Sequence, residues 1–198
     1  IITPIRNWHS KWWLASLPFA MVAVLNLISI DFALLTFGSI TVVGWIYANL
    51  STGLFEEIML RGICFVALFS AWQDRENGLM LAAVCQAIIF GVAHYVNLTK
   101  APFLEVSVQV TYATLIGIGF AGLVAYTRSL WPAIGLHFLI NACGSISTFF
   151  QPDYVADERS MANYAIIIVL IAVTCALPGY LLLKKSNAQL STANLATS

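Results

Sequence analysis

The stretch Phe55–Gly62, "FEEIMLRG", puts two glutamates and an arginine into a run that is otherwise strongly apolar on either side. Each charge at the centre of a membrane helix costs about 2.5–3.5 kcal/mol on insertion scales, so such residues usually mark function. Helical spacing separates the three. Glu57 and Arg61 stand at i and i+4 with the acid first, the favourable order for an intrahelical pair. Glu56 is turned about 100° away on a 3.6-residue helix. It has no partner within its own helix and is free to face a different neighbour.

The rest of the chain explains why these charges stand out. Of 198 residues, 60% are hydrophobic and only 9% charged, and the mean hydropathy is +0.87. An average soluble domain carries about 25% charged residues. So few charges cannot cover a water-facing surface, which indicates an integral membrane protein with the lipid bilayer as its surroundings. The formal net charge is zero, so no basic surface points to nucleic acid. Cys64, Cys85, Cys143 and Cys175 each sit in an apolar segment without a CxxC pair. They read as buried small hydrophobes rather than disulfides or metal ligands. No charged n-region, short h-region and small-residue cleavage site follow in order, so no signal peptide is expected.

A hydrocarbon core of about 30 Å needs roughly 20 apolar residues in a helix. About seven candidate spans follow: Trp12–Ile30, Phe32–Leu50, Thr52–Trp72, Leu79–Val96, Phe103–Tyr126, Trp131–Phe149 and Met161–Leu183. The fold class is therefore an all-α, polytopic transmembrane helical bundle, multi-pass in the membrane. Trp8, Trp12, Trp13, Trp72 and Trp131 fall at span ends, where interfacial aromatics are expected. Seven spans place Arg6, Lys11, Lys100 and Arg159 on one side and Arg75, Arg128, Lys184 and Lys185 on the other. That is four against four, so the positive-inside rule returns no orientation. No linker or fixed-period repeat divides the chain, so residues 1–185 form one domain. Residues 186–198 are polar and free of aromatics, and are expected to form a disordered tail.

Few other polar groups lie inside these spans. His94 is near the end of the fourth, and His137 is six residues into the sixth, with Asn141 at i+4 on the same face. Phe90 and His94 share that spacing. Because successive spans alternate direction, Glu56 and His94 should lie at similar depth, and His137 should reach the middle of the bilayer. Glu56, His94, His137 and Asn141 can then meet. Carboxylates in low-dielectric surroundings hold protons more tightly, which suits a general base near neutral pH. A histidine beside the carboxylate can share the proton of a water. A second histidine and an amide can donate to a developing oxyanion. The same Glu56, His94 and His137 match the ligand set of a catalytic zinc with one open position, although no HExxH helix is present.

Three of these segments resemble motifs of a known family. "EEIMLR" fits EExxxR, "FGVAH" fits FxxxH and "HFLIN" fits HxxxN, in that order and on separate spans. The chain resembles the CAAX-protease and bacteriocin-processing family of intramembrane proteases, to which the Ras-converting prenyl-protein endopeptidase belongs. The match covers about Gly53 to Gly144. The resemblance implies a water-filled catalytic cavity within the helical bundle and an endopeptidase acting on a membrane-associated protein or peptide. Carried over by position, Glu56 and His94 activate water, His137 and Asn141 form the oxyanion site, and Glu57, Arg61 and Phe90 support it. A metal-independent glutamate mechanism is favoured, with no cofactor, over zinc. A compact chain of this kind points to a prokaryotic cytoplasmic membrane. Two other classes stand beside this one: a non-catalytic immunity or partner-binding protein of the same fold, and a proton-coupled transporter built on intramembrane Glu and His. The transporter lacks a visible inverted repeat of broken helices.

"GIGFAG", Gly117–Gly122, matches GxGxxG but lies mid-span with no preceding strand, so close helix packing through Ala113, Gly117 and Ala121 is expected instead of a dinucleotide site. Pro18 and Pro178 are expected to kink their helices.

Overall fold

The structure is a computed structural model that describes residues 12–28, 30–152, 154–155 and 160–195. Trp8 and the basic residues Arg6, Lys11 and Arg159, all weighed from sequence, lie outside the described residues.

Among the described residues every regular element is helical. Helix α1 spans Trp12–Ile28 with Pro18 inside it. A 3₁₀ turn, Phe32–Leu34, is capped by the Asp31 carboxylate, which accepts from the Ala33 N–H. Helix α2, Ser39–Glu57, runs through a π-helical stretch, Ile58–Cys64, into α3, Phe65–Trp72. Helix α4, Gly78–Ala93, ends in the 3₁₀ turn His94–Thr99. Then come α5, Phe103–Thr127, α6, Trp131–Gly144, and the short α7, Ile146–Phe150. Helix α8, Met161–Ile171, passes through a second π-helical stretch, Ala172–Ala176, into α9, Leu177–Leu195.

The bundle is all-helical as expected, but the span pattern differs from the sequence reading at two places. Residues assigned to separate spans, Phe32–Leu50 and Thr52–Trp72, form one uninterrupted helical path from Ser39 to Trp72. The helix continues through the expected boundary at Leu50–Thr52, where polar side chains bond back to the same helix: Asn49 Nδ2 to Trp45 O and Ser51 Oγ to Ala48 O. These two expected spans are thus one helical path among the described residues. Residues 186–198 were expected to be a disordered tail, yet α9 continues to Leu195. Leu183 and Ser186 are buried, and Leu190 packs with Leu183 against Phe65, Phe69 and Leu79. Positions i, i+3 and i+7 share one helix face, so this segment is held by its stripe despite its polar composition.

Among the described residues three helices are long and apolar enough to cross a membrane: Gly78–Thr99, Phe103–Thr127 and Met161–Leu190. The outer surface is correspondingly apolar, with Ile40, Val43, Val96 and Phe103 exposed. Without hydrophobic drive between helices in lipid, close packing through small residues carries association. Gly117 meets Ala87 of α4, where an added Cβ would lie 2.9 Å from the Ala87 Cβ. Gln86 Nε2 reaches across the same seam to Gly117 O at 2.9 Å. Gly119 and Gly122 of α5 meet Gly179 of α9 backbone to backbone. The GxGxxG match is thus a packing stripe, with Ala113 and Ala121 also buried.

Candidate active site

The site is built on the antiparallel seam between α2 and α6. Trp45 Nε1 donates to Ala142 O and to Ser145 Oγ, both at 3.1 Å. Asn49 Nδ2 lies 3.1 Å from Ser145 Oγ. One turn on, Gly53 faces His137 and Phe138; a Cβ there would lie 3.1 Å from Phe138 N. Another turn on, Glu57 reaches His137. The stripe Asn49, Gly53, Glu57 therefore sets the register, and the missing side chain at Gly53 brings the α6 backbone close enough for His137 to reach the acid.

Glu57 Oε1 accepts from Arg61 Nη1 at 2.8 Å and from His137 Nδ1 at 2.7 Å. The i,i+4 pair anticipated from sequence is present and fully buried. Its second tie, to His137, was not foreseen, because side-chain spacing on one helix carries no information about the helix packed against it. Arg61 lies over the Phe90 ring at 4.5 Å and near the Phe120 ring at 5.4 Å. Its Nε and Nη2 have no hydrogen-bond partner among the described residues, so aromatic faces supply part of the attraction that water would otherwise provide. Phe90 also stands edge-on to His94 and His137, with centroids at 4.9 and 6.1 Å. It is a ring shared by the arginine and both histidines.

Glu56 is partly exposed, with 27% of its side chain accessible. Its Oε2 lies 3.5 Å from His137 Nε2. The two adjacent glutamates thus address the two nitrogens of one ring, Glu57 at Nδ1 and Glu56 at Nε2. A ring nitrogen facing a carboxylate oxygen at hydrogen-bond distance carries the hydrogen, so Nδ1–H donates to Glu57 and Nε2 is left toward Glu56. His94 is oriented differently: its Nδ1 lies 2.9 Å from Phe90 O. That nitrogen donates to the carbonyl, and Nε2 is the free acceptor.

His94, His137 and Asn141 line one cavity of about 860 Å³, together with Asn49, Gln109 and Ser145. Glu56 is not part of its wall and reaches it through His137. No hydrogen bond or ion pair joins Glu56 to His94 among the described residues, so the structure pairs Glu56 with the other histidine. Asn141 keeps its side chain free on the cavity wall, one helical turn beyond His137. Among the described residues no group of three or more His, Cys, Asp or Glu is arranged to hold a metal ion. Glu56, His94 and His137 do not converge on one point as a zinc site would require.

Two contributors escaped the sequence reading. The Asn49–Ser145–Trp45 network was recoverable in part, since Asn49, Gly53 and Glu57 recur at i, i+4 and i+8. The π-helical stretch from Ile58 to Cys64 carries no such signal. Such stretches occur often at functional sites, and this one starts directly after the two glutamates.

A protein-family model, described as type II CAAX prenyl endopeptidase Rce1-like, matches residues 38–143. That covers more than half of the chain and every candidate site residue, so the chain belongs to the Rce1-like family, a family of membrane-embedded proteases acting on protein or peptide substrates. No curated protein and no solved structure matches it.

Proposed function

We propose that this chain is a multi-pass intramembrane endopeptidase that hydrolyses a peptide bond of a membrane-associated protein or peptide without a metal. The observation that carries this reading is the convergence of Glu56 and Glu57 on the two nitrogens of His137, at the wall of a cavity shared with His94 and Asn141. A purely structural ion pair needs only Glu57 and Arg61. It gives no reason for a second, partly exposed glutamate on the opposite ring nitrogen.

In this reading water enters the cavity and is held by His94 Nε2. Its proton passes through His137 Nε2 toward Glu56 as the oxygen attacks the substrate carbonyl. Donation to the resulting oxyanion needs a hydrogen on His137 Nε2, and Glu56 Oε2 is the neighbouring group able to pass it there. The Nδ1–H···Glu57 bond holds the ring in place, and Arg61 holds Glu57. The Asn141 amide supplies a second donor to the oxyanion. Collapse of the intermediate releases an amine and a carboxylate, with the proton returned to the leaving nitrogen.

The test uses purified protein and a membrane-tethered peptide library. Glu56→Ala and His94→Ala should each lose cleavage, and activity should survive thorough chelation with no stoichiometric zinc by elemental analysis. Wild-type cutting in both variants would sink the assignment of Glu56 and His94 as the residues that activate water. Activity lost on chelation and restored by zinc would replace the glutamate mechanism with a metal one.

A further inference from the structure

We infer that Asn97 and Gln109 are positioning residues for His94: their hydrogen bond holds the turn that presents the ring, and so keeps His94 Nε2 open to the cavity. This role rests on the reading of His94 as the residue that holds water, but the ring tautomer that reports it can be read without cleavage.

Helix α4 packs on α5 through small residues. Ala87 meets Gly117, and one turn on, a Cβ added at Gly91 would overlap the Thr114 side chain and the Val110 carbonyl. At His94 the regular helix stops. The His94 N–H turns to Gly91 O and Val92 O, where a regular α-turn would take it four residues back, to Phe90 O. Phe90 O instead lies 2.9 Å from His94 Nδ1. A carbonyl only accepts, so Nδ1 carries the hydrogen, and the bond made at one ring nitrogen decides the state of the other. The tautomer of His94 thus follows from the change to 3₁₀ geometry at its own residue.

That geometry needs support. The 3₁₀ stretch His94–Thr99 is six residues long, whereas runs beyond about 3–4 residues are uncommon because their hydrogen bonds are poorly aligned. Asn97 supports it twice. Its backbone carbonyl accepts from Lys100 N at 2.8 Å and from Ala101 N at 3.0 Å, which closes the turn. Its side chain crosses to α5, where Nδ2 donates to Gln109 Oε1 at 2.9 Å. Gln109 lines the same cavity as His94, so the bridge is anchored on the wall that carries the ring. Without the bridge the turn can relax toward a regular α-turn. The His94 N–H then competes for Phe90 O, and the ring is free to place its hydrogen on Nε2, the nitrogen that must accept from water.

Nitrogen NMR of the full chain, labelled with nitrogen-15 histidine and with the imidazoles neutral, tests this. The chain holds three histidines, and His94→Ala identifies the His94 signals by their loss. Wild type should show a protonated Nδ1 and a bare Nε2 at His94. Gln109→Leu and Asn97→Ala break the bridge from opposite ends, so one of them suffices if the other fails to fold. Each should convert part of the His94 signal to the Nε2-protonated form. In each, kcat should fall about 3–10-fold, the worth of one neutral hydrogen bond, with KM unchanged. Thr99→Ala removes an exposed bond to Val96 O within the same turn and should change none of these. An unchanged His94 tautomer in the folded variants would overturn the assignment. So would a raised KM at constant kcat, which would make Gln109 a substrate contact. A tautomer shift in a chain that cleaves nothing would sink the protease reading and leave the hold on His94 standing.

Discussion

Two seams of this bundle bury close helix contacts by opposite means. Between α5 and α9, Gly119, Gly122 and Gly179 let two backbones touch. The seam is apolar, with Cys175 and Phe120 fully buried beside it. Between α2 and α6, a single glycine, Gly53, opens a gap that a charged network then fills. The first seam gains dispersion and shape fit. The second carries an acid, a guanidinium and an imidazole in the interior, an arrangement that gives stability only while every member is present. The difference separates what holds the molecule together from what it is for.

Substitutions can break that comparison, beginning with the largest expected effect. Glu56→Ala should lower cleavage by about 10²–10⁴-fold, the usual contribution of general acid–base catalysis, while thermal unfolding in detergent stays near wild type. A large loss of stability would show that Glu56 belongs to the scaffold. Arg61→Leu leaves Glu57 buried without its cation and should cost about 3–5 kcal/mol, read as a lowered unfolding midpoint. The double variant Glu57→Gln, Arg61→Leu should recover part of that stability and none of the cleavage. Recovery of both would mean that Glu57 does not position His137.

At the apolar seam, Gly179→Val forces α9 away from α5 and should cost about 1–3 kcal/mol by overpacking. Any remaining folded protein should keep its KM and kcat. Gly53→Ala is the mildest. Its Cβ meets the Phe138 backbone at 3.1 Å, so α6 must shift by a few tenths of an ångström, and cleavage should fall several-fold with little change in unfolding. A loss as large as that of Glu56→Ala would show that His137 tolerates no displacement at all.

Much of this was legible beforehand. Composition called for helices in a bilayer, and i,i+4 arithmetic paired Glu57 with Arg61 and left Glu56 for another partner. It also placed His137 and Asn141 on one face. The helices, the Glu57–Arg61 pair, the separate partner of Glu56 and the shared wall of His137 and Asn141 are all present in the structure. The nearest partner of Glu56 was not legible: the sequence put it in a cluster with His94, His137 and Asn141 without choosing among them, and the structure has its Oε2 3.5 Å from His137 Nε2. The continuity of Ser39–Trp72 was not legible because hydropathy registers polar side chains but not the helical carbonyls to which Asn49 and Ser51 bond. The tail reading failed because average polarity conceals a stripe of Leu183, Ser186 and Leu190.

Sequence alone determined the periodicities: which side chains share a helix face, which charges neutralise each other locally, and where apolar length suffices for lipid. These follow from the 3.6-residue turn and need no second helix. Tertiary structure decided which faces meet. It brought Glu56 to His137, gave Glu57 two partners and joined two expected spans into one helical path. Such choices depend on how closely two backbones can approach, and here that distance is set by glycines whose effect appears only when the opposing helix is in place.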